Sequence, residues 1–430
     1  MHQLGPATDT PLAWPPPARA WWTVAVLTFT YIISFVDRTI LGLLIEPIKA
    51  ELSLNDTQIG LVQGMAFGVF YAVMGLPLGW LADRISRRGL IAVGAALWCA
   101  ATAACGLASS FVQLFLARIA VGVGEAALSP AAMSMISDSF PKERRATPIG
   151  VYAAAAALGA GLALIVGGTV IQLVSNRWQT AFFWVGLGGL VLLPLLATVI
   201  EPARRNESAV EIGAPMRIVR YVREHADFMV RHYVAVSLYS AMIYAVLSWT
   251  PTLFVRVHGW TYGETGLRYG LVLLLFGGAG TVLGGIVAAQ LGKRNVPQPA
   301  IWVTVAGMAL AWPLLALAGW ADDGWTALAW YAPALLLMTL PGGTAIQVVQ
   351  EAVPNRLRGQ ASAIYYLANS IVGLTVGPLS VGALTDYVYK DPLRLGSALA
   401  LIAIVIAPIT TALAFQTRAP FARLVSRMAV

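Results

Sequence analysis

Twelve apolar runs fill most of the chain, at residues 20–44, 58–81, 89–108, 111–139, 147–173, 180–200, 230–255, 265–290, 299–319, 326–350, 359–385 and 396–416. A run of about 20 apolar residues is the length at which a helix crosses the hydrocarbon of a bilayer, where every backbone polar group must be satisfied inside the helix. The chain is therefore expected to be an all-α membrane protein with twelve transmembrane helices. Composition agrees: 58% of the 430 residues are hydrophobic and 11% charged, against roughly 25% charged in a soluble domain.

An even number of spans returns both termini to one side. Loops and tails on that side hold 20 of the 28 Lys and Arg: Arg19; Arg84, Arg87, Arg88; Lys142, Arg144, Arg145; Arg204 to Arg231; Lys293, Arg294; Arg356, Arg358; and the tail from Arg418. The opposite loops carry Lys49, Arg177, Arg256, Arg268, Lys390 and Arg394 against a larger set of acids that includes Glu46, Asp56, Asp322 and Asp323. The positive-inside rule makes both termini cytoplasmic. The net charge of +8 then reports topology, with no nucleic-acid partner implied. An excess of arginine over lysine and short tails point to a bacterial plasma (inner) membrane.

The longest polar stretch, roughly Glu201 to Asp227, splits the runs six and six. The expected organisation is a tail (1–19), a first six-helix bundle (20–200), a linker with a short amphipathic helix (201–229), a second bundle (230–416) and a second tail (417–430). Pro15 to Pro17 lack a basic n-region and a cleavage site, so no leader removal is expected. Cys99 and Cys105 lie about 9 Å apart in helical rise, too far for a disulfide. An internal echo links Gly79-Trp-Leu-Ala-Asp83-Arg84 and Arg87-Arg88, after span two, to Gly285 and Lys293-Arg294, after span eight. A second links Pro141, Arg144 and Arg145 to Pro354, Arg356 and Arg358. Two related halves are implied.

Four ionisable residues fall inside apolar runs: Asp37 and Arg38 in the first, Arg118 and Glu125 in the fourth. Each costs about 2.5 to 3.5 kcal/mol on insertion scales unless it faces a partner or a watery cavity. Arg118 and Glu125 are two turns apart on one helix face, about 10 Å, so they can line one cavity without pairing. Asp37 and Arg38 diverge by about 100° and need separate partners. A crossed arrangement is expected, with Asp37 near Arg118 and Arg38 near Glu125. A structural ion-pair cluster that only fixes helix packing is the competing reading.

At these residues the sequence resembles the major facilitator superfamily. Its loop signature, Gly-x-Leu-Ala-Asp-Arg-x-Gly-Arg-Arg, stands as Gly79 to Arg88 with Ser86 in place of the inner glycine, and its Arg-x-x-x-Gly-x-Gly element is Arg118, Gly122 and Gly124. The runs Phe35-Val-Asp37-Arg38, Gly124-Glu125-Ala126-Ala127-Leu-Ser129-Pro130 and Ile136-Ser-Asp138-Ser-Phe140-Pro141 are similar to the spinster branch, associated with export of lysolipids and sphingoid phosphates. The resemblance implies two pseudo-symmetric six-helix bundles, with helices two, five, eight and eleven between them. Glycine rows are present there: Gly60, Gly64 and Gly68; Gly75 and Gly79; Gly159, Gly161, Gly167 and Gly168; Gly277 to Gly285; Gly373 and Gly377. Such rows allow close and sliding backbones.

The resemblance also implies roles. Glu125 and Asp37 become the proton-coupling carboxylates. Gly79, Asp83, Arg84, Arg87, Arg88, Arg144 and Arg145 become a conformational latch, in which Asp83 caps the positive start of span eleven and meets Arg144 or Arg145. Arg38 and Arg118 are candidates to hold an anionic head. The second half has no mid-membrane charge, and its cavity candidates are Tyr239, Tyr244, Trp249, Gln347, Tyr365, Tyr366 and Asn369; ordinary core or interfacial packing competes at each aromatic. A charged half facing an aromatic one suits an amphipathic anion, with protons and membrane lipids as the other partners and the protein acting as a monomer.

Enzyme readings lack parts. There is no phosphate-binding Gly-x-x-x-x-Gly-Lys-Ser/Thr loop, and His2, His225, His232 and His258 fall outside or at the edge of the runs, which leaves no hydrolase or metal site in the membrane. No cofactor is expected. The alternatives are an organic-anion (hexuronate-like) proton symporter, a multidrug/proton antiporter, and, in a different class, a lipid scramblase or a transporter-derived receptor.

Overall fold

The structure, a computed structural model, describes residues 14–173, 177–205 and 214–428; His2 and linker residues 206–213 lie outside them. Among the described residues there is no strand, and twelve helices are long and apolar enough to cross a membrane. They are α1 (Pro17–Leu43), α2 (Asp56–Ala82), α3 (Arg87–Cys105), α4 (Phe111–Ser139), α5 (Ala146–Leu173), α6 (Trp178–Thr198), α7 (Ala226–Arg256), α8 (Tyr262–Lys293), α9 (Pro299–Gly319), α10 (Gly324–Glu351), α11 (Asn355–Tyr389) and α12 (Leu395–Gln416). Shorter helices at Ile45–Leu52, Ala214–Glu224 and Arg418–Met428 are amphipathic or polar surface pieces; the last was not expected from the apolar pattern.

Several spans start before their apolar run because their first turns are polar caps that hydropathy does not register. Asn55 and Gln58 form a capping box on α2, and Asp323 accepts the Trp325 and Thr326 amides at the start of α10. The start of α7 at Ala226, rather than at residue 230, carries a correction. His232 lies inside the helix and is buried, with Nε2 2.9 Å from the Ala345 carbonyl and its ring stacked on Phe228. Cys99 and Cys105 are buried and free.

Helices α1–α6 pack on one another and α7–α12 do the same, giving two bundles. Between the bundles α2 lies on α11 and α5 lies on α8. These contacts are confined to one end. A Cβ added at Gly64 would sit 2.5 Å from the Leu374 carbonyl, and one at Gly168 would sit 3.0 Å from the Gly266 Cα. The missing side chains are what let these backbones touch. Toward the opposite end of the same helices, Gly75 (α2), Gly150 (α5) and Gly285 (α8) have no neighbouring atom within 4 Å of an added Cβ. The bundles therefore form a wedge that opens toward the face carrying the Arg84–Arg88 loop, here the basic face. It is shut at the far face, which carries Glu46, Asp56 and Asp386.

Candidate functional site

A small chamber, a cavity of about 80 Å³, lies between the bundles, just inside the far-face closure. Its wall includes Phe35, Arg38, Thr39, Gln63, Phe67, Arg118, Tyr244, Leu247, Ser248 and Leu374. Arg118 reaches the wall, and Glu125 reaches Arg38 from behind it, because α4 is drawn close to its neighbours; neither Glu125 nor Asp37 is itself a wall residue. A Cβ at Gly122 would meet the Phe67 carbonyl of α2 at 2.6 Å, and one at Gly124 would meet the Gly94 carbonyl of α3 at 2.8 Å. The Arg-x-x-x-Gly-x-Gly spacing is thus a packing device that places charge.

Arg38 Nε donates to Glu125 Oε2 at 2.6 Å, and its guanidinium lies 4.7 to 5.0 Å from the ring centres of Phe35, Phe67 and Tyr71. The π faces supply part of the electrostatic environment that water would provide. Arg118 donates to the backbone carbonyl of Asp37 at 3.3 Å, not to its carboxylate. Asp37, Arg118 and Glu125 are each 1% exposed. Both Asp37 carboxylate oxygens, Glu125 Oε1 and Arg118 Nε have no hydrogen-bond partner. Capacity for further hydrogen bonding therefore remains in a site where unmet polar groups are costly.

The candidates from the second half divide. Tyr244 lines the chamber with Arg38. The Tyr239 hydroxyl is 3.1 Å from the Met338 carbonyl and 3.4 Å from that of Gly307, inside the second bundle. Trp249 Nε1 donates to the Pro378 carbonyl at 2.9 Å and belongs to the far-face closure. Gln347 is exposed and donates to Glu351 at 2.7 Å. Tyr365 is buried at an edge contact with Tyr366, which is 57% exposed; Asn369 accepts from Ser237 at 3.0 Å. None of these six is in the chamber wall.

The loop residues form a tight cluster inside the first bundle. Arg87 is 1% exposed and reaches Asp138, Ser134 Oγ at 3.0 Å, Glu201 Oε1 at 3.1 Å and the Pro202 carbonyl at 2.6 Å. Arg88 donates to the Val199 carbonyl at 3.1 Å, and Arg84 stacks on Trp80. Gly79 faces Pro130 of the same bundle. Arg145 donates to the Phe140 carbonyl at 2.8 Å, while Asp83 and Arg144 are exposed. Among the described residues no ion pair involves the Asp83 carboxylate, and Arg204 binds its backbone carbonyl. Ser86 explains its own departure from the signature. Its backbone is at φ −57°, where no glycine is needed; its hydroxyl caps α3 at Gly89 and donates to Glu201 at 2.6 Å.

Sequence reasoning passed over three residues. Gln63 sits on a π-helical turn of α2 (Leu61–Met65), in the chamber wall, with both amide atoms buried and unpartnered; a neutral amide in an apolar run gives little signal, but π turns recur at functional positions. Glu201 and Asp386 read as loop or helix-end acids, and only their distant partners reveal them.

The major facilitator superfamily model matches residues 27–378. An MFS-type efflux pump of Mycolicibacterium smegmatis is 31% identical over 90% of each chain. Protein spinster of Drosophila melanogaster is 26% identical over 86% of this chain and 62% of its own length, and a probable L-galactonate transporter of Escherichia coli is 25% identical over 86% and 84%. A crystal structure of a bacterial homolog of the human lysosomal transporter Spinster, in an inward-facing and unoccupied conformation, has the same fold, with a TM-score of 0.82, 22% identity and coverage of 96% and 99%. With its twelve spans, its two bundles and the charged element of α1 and α4, the chain belongs to the major facilitator superfamily, as a spinster-like membrane transporter and not an enzyme.

Proposed function

We propose that the protein is a proton-coupled secondary transporter of an amphipathic anion, of the lysolipid or sphingoid-phosphate class, working by alternating access in the plasma membrane. The observation that carries this reading is that Arg38 and Arg118 stand in the chamber wall while Glu125, paired with Arg38, and the unpartnered Asp37 carboxylate are buried behind it. A phosphate or carboxylate offers the planar Arg38 guanidinium two oxygens at once and so competes with Glu125. Once Arg38 turns to it, Glu125 is left buried without a counter-charge and takes up a proton, assisted by Asp37. Anion and proton then occupy the chamber together, and the site stays close to neutral while the bundles rock.

The apolar wall of Phe35, Phe67, Leu247 and Leu374 suits the stem of an amphiphile. In this reading the basic face is cytoplasmic, so the wedge is open inward, and the protein acts as a monomer. The test is Glu125→Gln in proteoliposomes. The variant should still bind sphingosine phosphate but lose transport driven by an imposed pH gradient, whereas unchanged pH-driven transport would remove Glu125 as the coupling group.

A second reading, a sugar-acid-like organic anion, is favoured by one observation. The free amide of Gln63 stands near Thr39 and Ser248 in the same wall, a set able to bind hydroxyl groups. Thermal-shift binding of D-glucuronate and of sphingosine phosphate at two pH values separates the two, because a ligand of the resting state raises the melting temperature.

A further inference from the structure

The far-face closure contains a charged cap that mirrors the Asp83 end of the same helix pair. Helix α2 starts on the far face, where α11 ends, and it ends on the basic face, where α11 starts. Each of the two carries an aspartate at or just past its C-terminal end: Asp83 after α2 and Asp386 in the last, π-helical turn of α11. Asp386 lies directly on the start of α2. Its carboxylate accepts the Thr57 amide at 2.6 Å, the Thr57 hydroxyl at 2.6 Å and the Asp56 amide at 3.3 Å. Those amides belong to the first turn of a continuous 27-residue helix, where unsatisfied N–H groups and the helix dipole favour an anion. A Cβ at Gly382, one turn earlier in α11, would sit 2.3 Å from the Asp56 carbonyl, so a glycine is what admits the carboxylate to this position.

A second bridge crosses the same seam. Arg256, at the end of α7, holds the Asp56 carboxylate with two nitrogens at 2.7 and 2.9 Å and reaches Glu46 at 2.6 Å. Lys49 also contacts Asp56. The Arg256 and Asp56 side chains are 5% and 0% exposed. Every one of these bonds except Lys49–Asp56 joins the second bundle to the first, and all must break for the chamber to open on the far face. The Asp83 carboxylate, at the opposite end of α2, has no ion pair among the described residues in this state.

We propose that Asp386, seated on the N-terminus of α2, is the far-face latch of the transport cycle, locked by the Arg256–Asp56 bridge, and that α2 and α11 are arranged to cap one another alternately through Asp386 and Asp83. The inference is independent of substrate and of proton coupling.

The test uses spin labels at Ala50→Cys and Leu393→Cys, exposed far-face positions on opposite bundles, in substrate-free nanodiscs. The native cysteines are buried and can remain. Distances are measured by double electron–electron resonance in otherwise unaltered protein and in Asp386→Ala, Asp386→Asn and Asp83→Asn. Hydrogen bonds to a charged acceptor predict roughly a ten-fold rise in the ratio of far-face-open to far-face-closed molecules for Asp386→Ala. A smaller rise is expected for Asp386→Asn, which keeps an acceptor, and a fall for Asp83→Asn, which weakens the cap of the far-face-open state. An unchanged distribution in Asp386→Asn and Asp386→Ala overturns the proposal, as does a rise of the open fraction in Asp83→Asn. Should Asp386→Ala fail to fold, Asp386→Asn decides alone.

Discussion

The first bundle buries Asp37, Asp56, Arg87, Arg118 and Glu125, whereas the second buries His232, Tyr239, Tyr269, Tyr331 and a Thr304–Thr344 hydroxyl pair, with no carboxylate, lysine or arginine fully buried among the described residues. The scaffolds are alike and the polar contents are not. Neutral hydroxyls bonded to carbonyls of their own bundle, such as Tyr239 to Met338 and Tyr233 to Ala361, fix a packing and have no second charge state within reach. A buried ion pair has an alternative, because either partner can be exchanged for a ligand ion or a proton. On the proposed reading the exchange of proton and anion falls to the first bundle, and the second supplies the body and the far-face contacts it moves against.

The largest expected effect tests that assignment directly. Arg38→Ala removes the counter-charge of Glu125 and one of two guanidiniums in the chamber; truncating a buried charged partner should weaken an anionic ligand by about a thousand-fold and abolish its transport. Tyr239→Phe, the comparison in the second bundle, removes a buried hydroxyl and should lower stability by about 1 kcal/mol while leaving transport intact. Isothermal titration with sphingosine phosphate and with an uncharged analogue checks the first, since the analogue should lose far less. Equal losses for both ligands would make Arg38 a packing residue, and a transport-dead Tyr239→Phe would erase the difference between the bundles.

A second, smaller effect concerns the end of the first bundle. Arg87→Met removes the guanidinium from Asp138, which keeps the Arg205 amide at 3.4 Å, and from the Pro202 carbonyl; hydrogen bonds to charged groups of this kind contribute about 2 to 3 kcal/mol. The expected outcome is a lower thermal midpoint with anion affinity unchanged, because Arg87 has no contact with the chamber wall. A change in affinity without loss of stability would instead tie this cluster to substrate.

The contrast between bundles was partly legible beforehand. Charges inside apolar runs are conspicuous because hydrocarbon penalises them, so Asp37, Arg38, Arg118 and Glu125 could be read from spacing alone, and the runs themselves foretold the twelve helices. The aromatic candidates could not be sorted, since the hydroxyl of Tyr239 finds carbonyls 68 and 99 residues away and nothing local distinguishes it from Tyr244. Gln63 was hidden for another reason: a π turn shifts the register of every following side chain, and the 3.6-residue period by which faces are assigned does not hold there. Asp386 looked like a loop acid. Its role comes from the start of a helix 329 residues away, a pairing set by the fold.

The smallest effect is a pH dependence at two surface acids, one just after the first bundle and one in the second. Glu201 follows α6, and burial alone would raise the pKa of its carboxyl. Hydrogen bonds from the Ser86 hydroxyl and the Arg87 amide and side chain, with the Arg87 charge, outweigh burial and hold it below the ordinary value of 4.5. A carboxylate whose folded value is depressed adds stability above its unfolded value and loses it as the pH falls through the folded one. Glu201→Gln should therefore lower the melting temperature at neutral pH, the gap should narrow below pH 4.5, and it should close in stronger acid. Asp323 is also held below its ordinary 3.8, by the Thr326 side chain and the Thr326 and Trp325 amides, but it is fully exposed at a helix cap, where water and salt screen its charge. Melting curves of the two variants from pH 7 to pH 3 should thus differ in size: a clear pH-dependent gap for Glu201→Gln, and a much smaller one for Asp323→Asn, which retains a capping oxygen. Equal gaps would mean that Arg87 does not organise the end of the first bundle more firmly than a simple helix cap organises the second.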